Sequence, residues 1–252
     1  MPREWNASSY HEVSTPHQGW GRDVLDRIEL SGGETILDLG CGTGRITSAL
    51  LERLPHGRVI AVDGSAAMVA AARAHLPADR VEVVQSDLLA LDLSGHEGIP
   101  ADGAISTATF HWIADHDALF ARVRAQLRPD ARFVAQCGGA GNLGVVRPLI
   151  DGVAAGPEFA DVFAGWAGPW HYATAEETAQ KLEAAGFAVA DCWLNPSPVT
   201  VEDPRAFYAT VILGAHLDRL PAERREAFVD AVMEVVPDVI DYVRLNWVAR
   251  AR

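Results

Sequence analysis

The sequence predicts an α/β chain built on a doubly wound, mostly parallel sheet. Three observations carry that expectation. Short apolar runs alternate with helix-length amphipathic segments from residue 34 to residue 136, the pattern of consecutive βα units. The first run, Thr35-Ile36-Leu37-Asp38-Leu39, passes directly into Gly40-Cys41-Gly42-Thr43-Gly44, a turn that can open a helix. The next run, Arg58-Val59-Ile60-Ala61-Val62, ends on a second acid, Asp63, at the place where a doubly wound nucleotide site holds a ribose.

The elements follow in order. Helical spacing at Val24, Leu25, Ile28 and Leu30 precedes the first strand, and Ser31-Gly32-Gly33 separates the two. The first strand is expected at 34–39, and its helix at 43–54 has Ile46, Leu50, Leu51 and Leu54 on one face. The second strand covers 58–62, and Ser65 caps an alanine-rich helix that runs to His75. Strands at 80–85 and 103–106 come next, then a helix at 116–127 that buries Leu119, Phe120, Val123 and Leu127. Leu127-Arg128-Pro129-Asp130-Ala131 turns into a fifth strand at 132–136.

Beyond Gly138-Gly139 the pattern loosens, and residues 140–172 mix short apolar helices with Gly, Pro and aromatics. A helix at 174–185 stops at Gly186, a strand follows at 187–193, and 203–236 reads as two helices separated by Pro221. Residues 242–248 alternate again and are expected to close the sheet. The pieces 1–30, 140–172 and 203–236 are candidates for one helical cap, set on a core of 31–139 that 173–252 completes.

Composition narrows the function classes. Of 252 residues, 49% are apolar, enough for a substantial core in one α/β domain with additions. No long uncharged apolar run suggests a membrane span, and Met1-Pro2-Arg3-Glu4-Trp5 lacks the layout of a secretory leader. The net charge is −13 and Lys181 is the only lysine, which argues against a nucleic-acid surface and against lysine Schiff-base chemistry. Cys41, Cys137 and Cys192 lie far apart without metal-ligand spacing, so free thiols in a reducing cytoplasm and no metal are expected. Alanine-rich, arginine-for-lysine usage suggests a bacterial source. A monomer or homodimer acting on a small molecule is expected.

The glycine spacing discriminates between ligands. A dinucleotide fingerprint is G-x-G-x-x-G, and its helix N-terminus receives a pyrophosphate. Here the spacing is G-x-G-x-G, with Asp38 two residues before the first glycine. A carboxylate in that turn repels a pyrophosphate and suits a cation. S-adenosylmethionine (SAM) carries an ammonium and a sulfonium and no phosphate.

Ile36–Gly44, Val62-Asp63-Gly64-Ser65-Ala66-Ala67-Met68, Gln85-Ser86-Asp87-Leu88 and Ser106-Thr107-Ala108-Thr109-Phe110-His111-Trp112 together resemble the class I SAM-dependent methyltransferases. Phe110-His111-Trp112, the closing Arg244–Arg250 segment and the opening Trp5-Asn6 with Tyr10 and Gln18 look more narrowly like the trans-aconitate methyltransferase-like branch. One departure is Pro129-Asp130-Ala131, where the family usually has Pro-Gly-Gly.

The resemblance implies a Rossmann-like, seven-stranded, mostly parallel sheet with an antiparallel last strand. It implies that the backbone of Gly40, Cys41 and Gly42 approaches the methionine part of SAM and that Asp38 orders its ammonium. Asp63 would take the ribose hydroxyls, with Gly64 permitting close passage. Met68 would pack on adenine, Asp87 would accept from its amino group, and Ser86 and Leu88 would lie alongside. Ser106 would end a strand at the cofactor's edge, while Tyr10 and Gln18 would close over the carboxylate. S-adenosylhomocysteine (SAH) would be the product.

Methyl transfer from a sulfonium needs alignment in a dry pocket more than it needs acid–base help. Trp20, Phe110, Trp112, Trp166, Trp170 and Tyr172 are candidate pocket walls. His111, after the fourth strand, could act as base toward a hydroxyl acceptor or only orient a carboxylate. A histidine satisfied by a backbone carbonyl is the alternative. Arg147, Arg205 and Arg244 are the cations near the cap, and no basic cluster marks a polycarboxylate site. Oxygen is the favoured acceptor atom; carbon or nitrogen acceptors, a non-catalytic SAM- or SAH-binding module and a nicotinamide-dependent oxidoreductase are the other readings.

Overall fold

The computed structural model describes residues 15–252, with side chains described from residue 19. Helix α1 (Thr15–Arg27) leads into β1 (Thr35–Leu39), α2 (Arg45–Glu52), β2 (Arg58–Asp63), α3 (Ala66–His75) and β3 (Val81–Gln85). Then come β4 (Ala101–Thr107), α4 (His116–Ala125) and β5 (Leu127–Gly138). A less regular stretch holds α5 (Val146–Ala154) and the single turn α6 (Ala160–Phe163) before α7 (Ala175–Ala184) and β6 (Phe187–Pro196). The chain ends with β7 (Val199–Thr200), α8 (Pro204–Phe207), α9 (Gly214–Arg219), α10 (Ala222–Met233), β8 (Val239–Ile240) and β9 (Val243–Ala251).

Seven strands form one sheet in the order β3-β2-β1-β4-β5-β9-β6. The β1, β2, β3, β4 and β5 pairings are parallel, whereas β9 runs antiparallel to both its neighbours. Strand order reverses at β1, which has β2 on one side and β4 on the other. That switch point opens a crevice at the carboxyl ends of the strands, where α/β ligands bind.

The last strand, β9, is the antiparallel strand expected. It is inserted between β5 and β6. An inserted strand is covered on both faces, so Leu245 and Trp247 on one face and Arg244 and Asn246 on the other are all buried. Polar–apolar alternation reads as a half-solvated strand. Here the polar face lies against the helical insertions instead.

The core has three parts. Phe110, Phe120, Phe133 and Trp247 centre one face of the sheet, and Val24, Leu25, Leu50 and Ile105 belong to the other. A third cluster joins Trp20, Ile150, Phe163, Trp170, Tyr208, Phe228 and Tyr242. It draws on the segments around 143–170 and 207–242 and packs them together. The expected first helix of 203–236 is interrupted: a π-helical turn (Tyr208–Ile212) joins α8 to α9. The β7–β8 pair is also unanticipated, because two residues per strand carry no periodicity. Among the described residues, no helix is long and apolar enough to cross a membrane.

Strand β5 begins earlier than the sequence indicates. Ala101 pairs with Leu127 and Gly103 with Arg132, so residues 128–131 bulge out of register. Asp130 within this bulge has φ 64°, a left-handed conformation that costs a non-glycine residue about 1–2 kcal/mol. That explains why glycine suits the position. Asp130→Gly is therefore expected to stabilise the fold by about 1 kcal/mol and to raise Tm by roughly 2–4 °C. Thermal melts of the two proteins check it, and an unchanged or lower Tm contradicts it.

Candidate functional site

Strands β1 and β2 are in register, with Leu39 opposite Val62, so the turn after β1 lies beside Asp63. Four of the turn's amides are consumed inside the protein. Gly40 and Cys41 N–H donate to the Val62 carbonyl at 2.7 and 3.0 Å, and Gly44 N–H donates to Cys41 O at 2.9 Å. Gly42 N–H donates to Asp63 Oδ2 at 2.8 Å. A phosphate needs converging free N–H groups, and these four do not supply them. Gly42 has φ 56°, and a Cβ there would meet nothing within 4 Å. The main chain at that point is open to a ligand.

Asp38 lies beneath the turn, fully buried. Its Oδ2 accepts from Thr47 Oγ1 at 2.6 Å. Its Oδ1 is buried without a hydrogen-bond partner among the described residues. Burial pushes the Asp38 carboxyl up to about 6; the Thr47 hydrogen bond opposes the shift and the nearby Asp63 charge adds to it. A buried carboxylate with an unused oxygen is poised for a cation.

Above the turn is a cleft of about 410 Å³. Gly40, Gly42, Asp63, Gly64, Met68 and Asp87 line it, and so do Ser86, Leu88, Thr109 and Trp112. Ser65 caps α3 by accepting from Met68 N–H at 3.3 Å, which fixes Met68 at the cleft wall. Asp63 Oδ1 accepts from Ser65 N–H at 2.9 Å. Asp87 Oδ1 accepts from Leu89 N–H at 3.0 Å, so its carboxylate also caps the short 3-10 turn Leu88–Ala90.

Three expected cofactor residues do not line the cleft. Asp38 and Cys41 sit under the turn. Ser106 is buried, with its hydroxyl donating to Leu39 O at 2.7 Å, so it braces the β1 terminus. Tyr10 and the side chain of Gln18 lie outside the described residues.

A smaller chamber of about 30 Å³ adjoins the cleft and shares Ala108 and Trp112 with it. His111, Trp170, Tyr172, Asn142, Tyr242 and Arg244 form most of its wall. Val211 and Ile212 add the π-helical turn. Phe110, expected as a pocket wall, belongs to the sheet core instead. It stacks on Trp247 at 5.7 Å and is fully buried, because the 3-10 turn Phe110–Trp112 sends its first ring inward and its next two side chains to the chamber. Trp20 also does not line the chamber. It lies behind the chamber, with the Arg244 guanidinium 4.2 Å from its ring centre. Trp166 is likewise outside, packed on Phe163 at 5.5 Å.

His111 Nδ1 accepts the Gly138 main-chain N–H at 3.3 Å. The neutral ring therefore carries its proton on Nε2. Arg244 is buried, and its Nε–H donates to Gln136 Oε1 at 3.1 Å. Sequence reasoning missed Thr109 and Asn142, whose residue types are common in loops, and Tyr242, which it read only as the start of a strand. It also missed Ala108, which joins the two cavities with φ 53°, an uncommon conformation for a residue with a Cβ.

Comparison with known proteins agrees with this geometry. A family model described as a methyltransferase domain matches residues 36–130. An uncharacterized methyltransferase of Schizosaccharomyces pombe is 31% identical over 198 residues, covering 75% of this chain and 73% of that protein. The chain belongs to the class I SAM-dependent methyltransferases. Part of it is similar to trans-aconitate 2-methyltransferases. Trans-aconitate 2-methyltransferase of Azoarcus sp. is 37% identical over 125 residues, which are 50% of this chain and 47% of that protein. The matched part thus spans about half the length of that relative. A solved SAM-dependent methyltransferase from Mesorhizobium loti shares the fold, with TM-score 0.54 and 20% identity over 91% of this chain and 96% of that one.

The family's cofactor is SAM, and the residues fit it. The unused Asp38 oxygen, the open face of Gly42 and the internally bonded amides all suit a phosphate-free cation. Because folding raises the Asp38 pKa, the apo protein loses stability as pH rises from 3.8 to about 6 on this group's account. An ammonium held against Asp38, as the resemblance implies, would favour the ionised form, and SAH affinity would then fall by up to about tenfold per pH unit below Asp38's titration. Calorimetry from pH 5 to pH 8 tests this, with Asp38→Asn expected to flatten the profile; a flat wild-type profile contradicts it.

Proposed function

We propose that this chain transfers the methyl group of SAM to an oxygen of a small molecule held in the aromatic chamber. The observation that supports it most is the turn after β1, where the amides of Gly40, Cys41, Gly42 and Gly44 are occupied, Asp63 lines the cleft and Asp38 lies buried beneath with one oxygen unpartnered among the described residues. Asp63 would hold the ribose hydroxyls, and Asp38 the ammonium, directly or through water. Gly40, Cys41 and Gly42 would run along the methionine part, with Gly64 allowing close passage. Met68 would lie on adenine, with Asp87, Ser86 and the Leu88 backbone at its polar edge. Ser106 would act from beneath, by holding the end of β1.

When bound, SAM supplies a methyl carbon already activated by its positive sulfur. The chain's own residues then align the acceptor and exclude water. We read 140–172 and 203–236, with Trp20 from the N-terminal segment, as the cap that does this over a core of 31–139 and 173–252. Trp112 belongs to both cavities and would separate the reacting centre from solvent.

Incubating the protein with methyl-labelled SAM and a panel of carboxylic acids, phenols and alcohols should label at least one oxygen acceptor. SAM binding with no transfer to any of them would instead favour a binding module. Asp63→Ala should weaken SAM binding by about tenfold to a hundredfold, the loss of charge-assisted hydrogen bonds worth about 1.5–3 kcal/mol. Unchanged affinity would refute the ribose assignment.

A further inference from the structure

We infer that His116 is a positioning residue for the cofactor cleft: bonded to the Phe110 carbonyl, it fixes the three-residue turn that carries Trp112 to the cleft wall. The inference rests on the methyltransferase reading above and concerns the wall of that same cleft.

The first argument is what the turn must hold. Thr107, Ala108, Thr109, Trp112, Ile113 and Ala114 all line the cleft. Thr109 ties this wall to the glycine turn after β1, its hydroxyl shared between Gly40 O at 3.3 Å and Thr107 O at 2.9 Å. The 3-10 turn itself is only Phe110–Trp112. Trp112 N–H donates to Thr109 O and Ile113 N–H to Phe110 O, both at 3.0 Å. A single turn with two such bonds does not hold its own shape. The Phe110 ring anchors it by stacking on Trp247 at 5.7 Å. Apolar packing is non-directional and leaves the peptide planes free to tilt.

The second argument is that His116 supplies the missing direction. It is the first residue of α4 and is fully buried. The helix start is fixed by Asp115, whose Oδ1 accepts Ala118 N–H at 2.9 Å. From there the His116 side chain reaches back, and its Nε2 lies 3.0 Å from Phe110 O. A ring nitrogen bonds a carbonyl only as a donor, so Nε2 carries the proton. Burial holds the imidazole below its ordinary pKa against that hydrogen bond; the nearby His171 and Lys181 charges add to the shift and Glu177 opposes it. The ring is therefore neutral near neutral pH, and Nδ1 is bare. The next carbonyl is held as well, since His171 N–H donates to His111 O at 2.8 Å. The two imidazoles stand 4.7 Å apart at 88°. Each keeps one buried nitrogen without a hydrogen-bond partner among the described residues, Nδ1 of His116 and Nε2 of His171. An apolar side chain would fill the His116 site with no unbonded polar atom. What the imidazole adds there is one donor aimed at Phe110 O.

His116 lines neither the cleft nor the chamber, so it acts only through the turn. With its donor gone, the Phe110 ring stays in the core, but the peptide after it is free to tilt. Trp112 and Ile113 follow that peptide and leave their places in the cleft wall. The loss is therefore felt by the ligand through Trp112, and the body of α4 is not concerned.

The test uses the whole chain. SAH affinity is measured by calorimetry for the wild type, His116→Gln, His116→Leu, Trp112→Ala and the double variant His116→Leu with Trp112→Ala. Glutamine places an amide N–H at the reach of Nε2, and leucine has no donor. His116→Leu should weaken SAH binding about fivefold to tenfold, the worth of one hydrogen bond, and His116→Gln should stay within about threefold of the wild type. In the Trp112→Ala background the same leucine change should cost less than about twofold, because residues that act through one another are not additive. If the leucine variant does not fold, His116→Asn takes its place with the same expectation, since its amide overlays Nδ1 and not Nε2. In the ligand-free protein, amide exchange at Ile113 and His171 should quicken in His116→Leu but not in His116→Gln, with Phe120 in α4 unchanged. No SAH binding by the wild type would refute the methyltransferase reading itself, while exchange still reads the turn. An equal cost in both backgrounds, unchanged affinity in His116→Leu, no recovery in His116→Gln, or unchanged exchange at Ile113 would each overturn the inference.

Discussion

The occupation of the β1 turn by its own neighbours is the constraint on which the rest of the site depends. Val62 O takes two amides of the turn and Asp63 takes a third. This ties the ends of β1 and β2 together and decides the sign of the ligand at once. A glycine turn with free amides attracts phosphate. Here the turn is flanked by acceptors instead: Asp38 below it, with Oδ1 unpartnered among the described residues, and Asp63 beside it. Thr47 and Ser106 hold this arrangement from opposite sides, through Asp38 Oδ2 and Leu39 O.

The second constraint is the placement of β9. Insertion between β5 and β6 brings Arg244 beside Gln136 and turns it toward Trp20 and Tyr242 of the third hydrophobic cluster. An edge strand would have left that guanidinium in water. Insertion also buries Trp247 against Phe110, which anchors the 3-10 turn carrying His111 and Trp112. One topological choice thus sets both the cation and the imidazole of the chamber. The buried His116 takes part as well: its Nε2 lies 3.0 Å from Phe110 O, and His171 N–H donates to His111 O at 2.8 Å.

Much of this was legible in the sequence. The βα alternation, the acids at 38 and 63 and the capping Ser65 are local signals, and short-range physics reads them well. The chamber was less legible, because its residues come together only through tertiary packing. Phe110 and His111 are adjacent in the chain, yet one is core and the other lines a cavity; a three-residue turn decides between them. Arg244 sits on an alternating strand, and alternation alone does not tell solvent from packed helical segments. The interruption at Tyr208–Ile212 leaves no break in helical composition. Asp130 shows the converse case, in which a departure from the family pattern marks a left-handed backbone position.

The central claim is that two carboxylates at the ends of adjacent parallel strands select a positively charged nucleoside without phosphate. The most direct measurement is a pair of calorimetric titrations of the ligand-free protein, one with SAH and one with NAD⁺, followed by SAH into the NAD⁺-treated sample. The account predicts saturable SAH binding that NAD⁺ does not disturb and no binding heat from NAD⁺ itself. Saturable NAD⁺ binding that displaces SAH would contradict it.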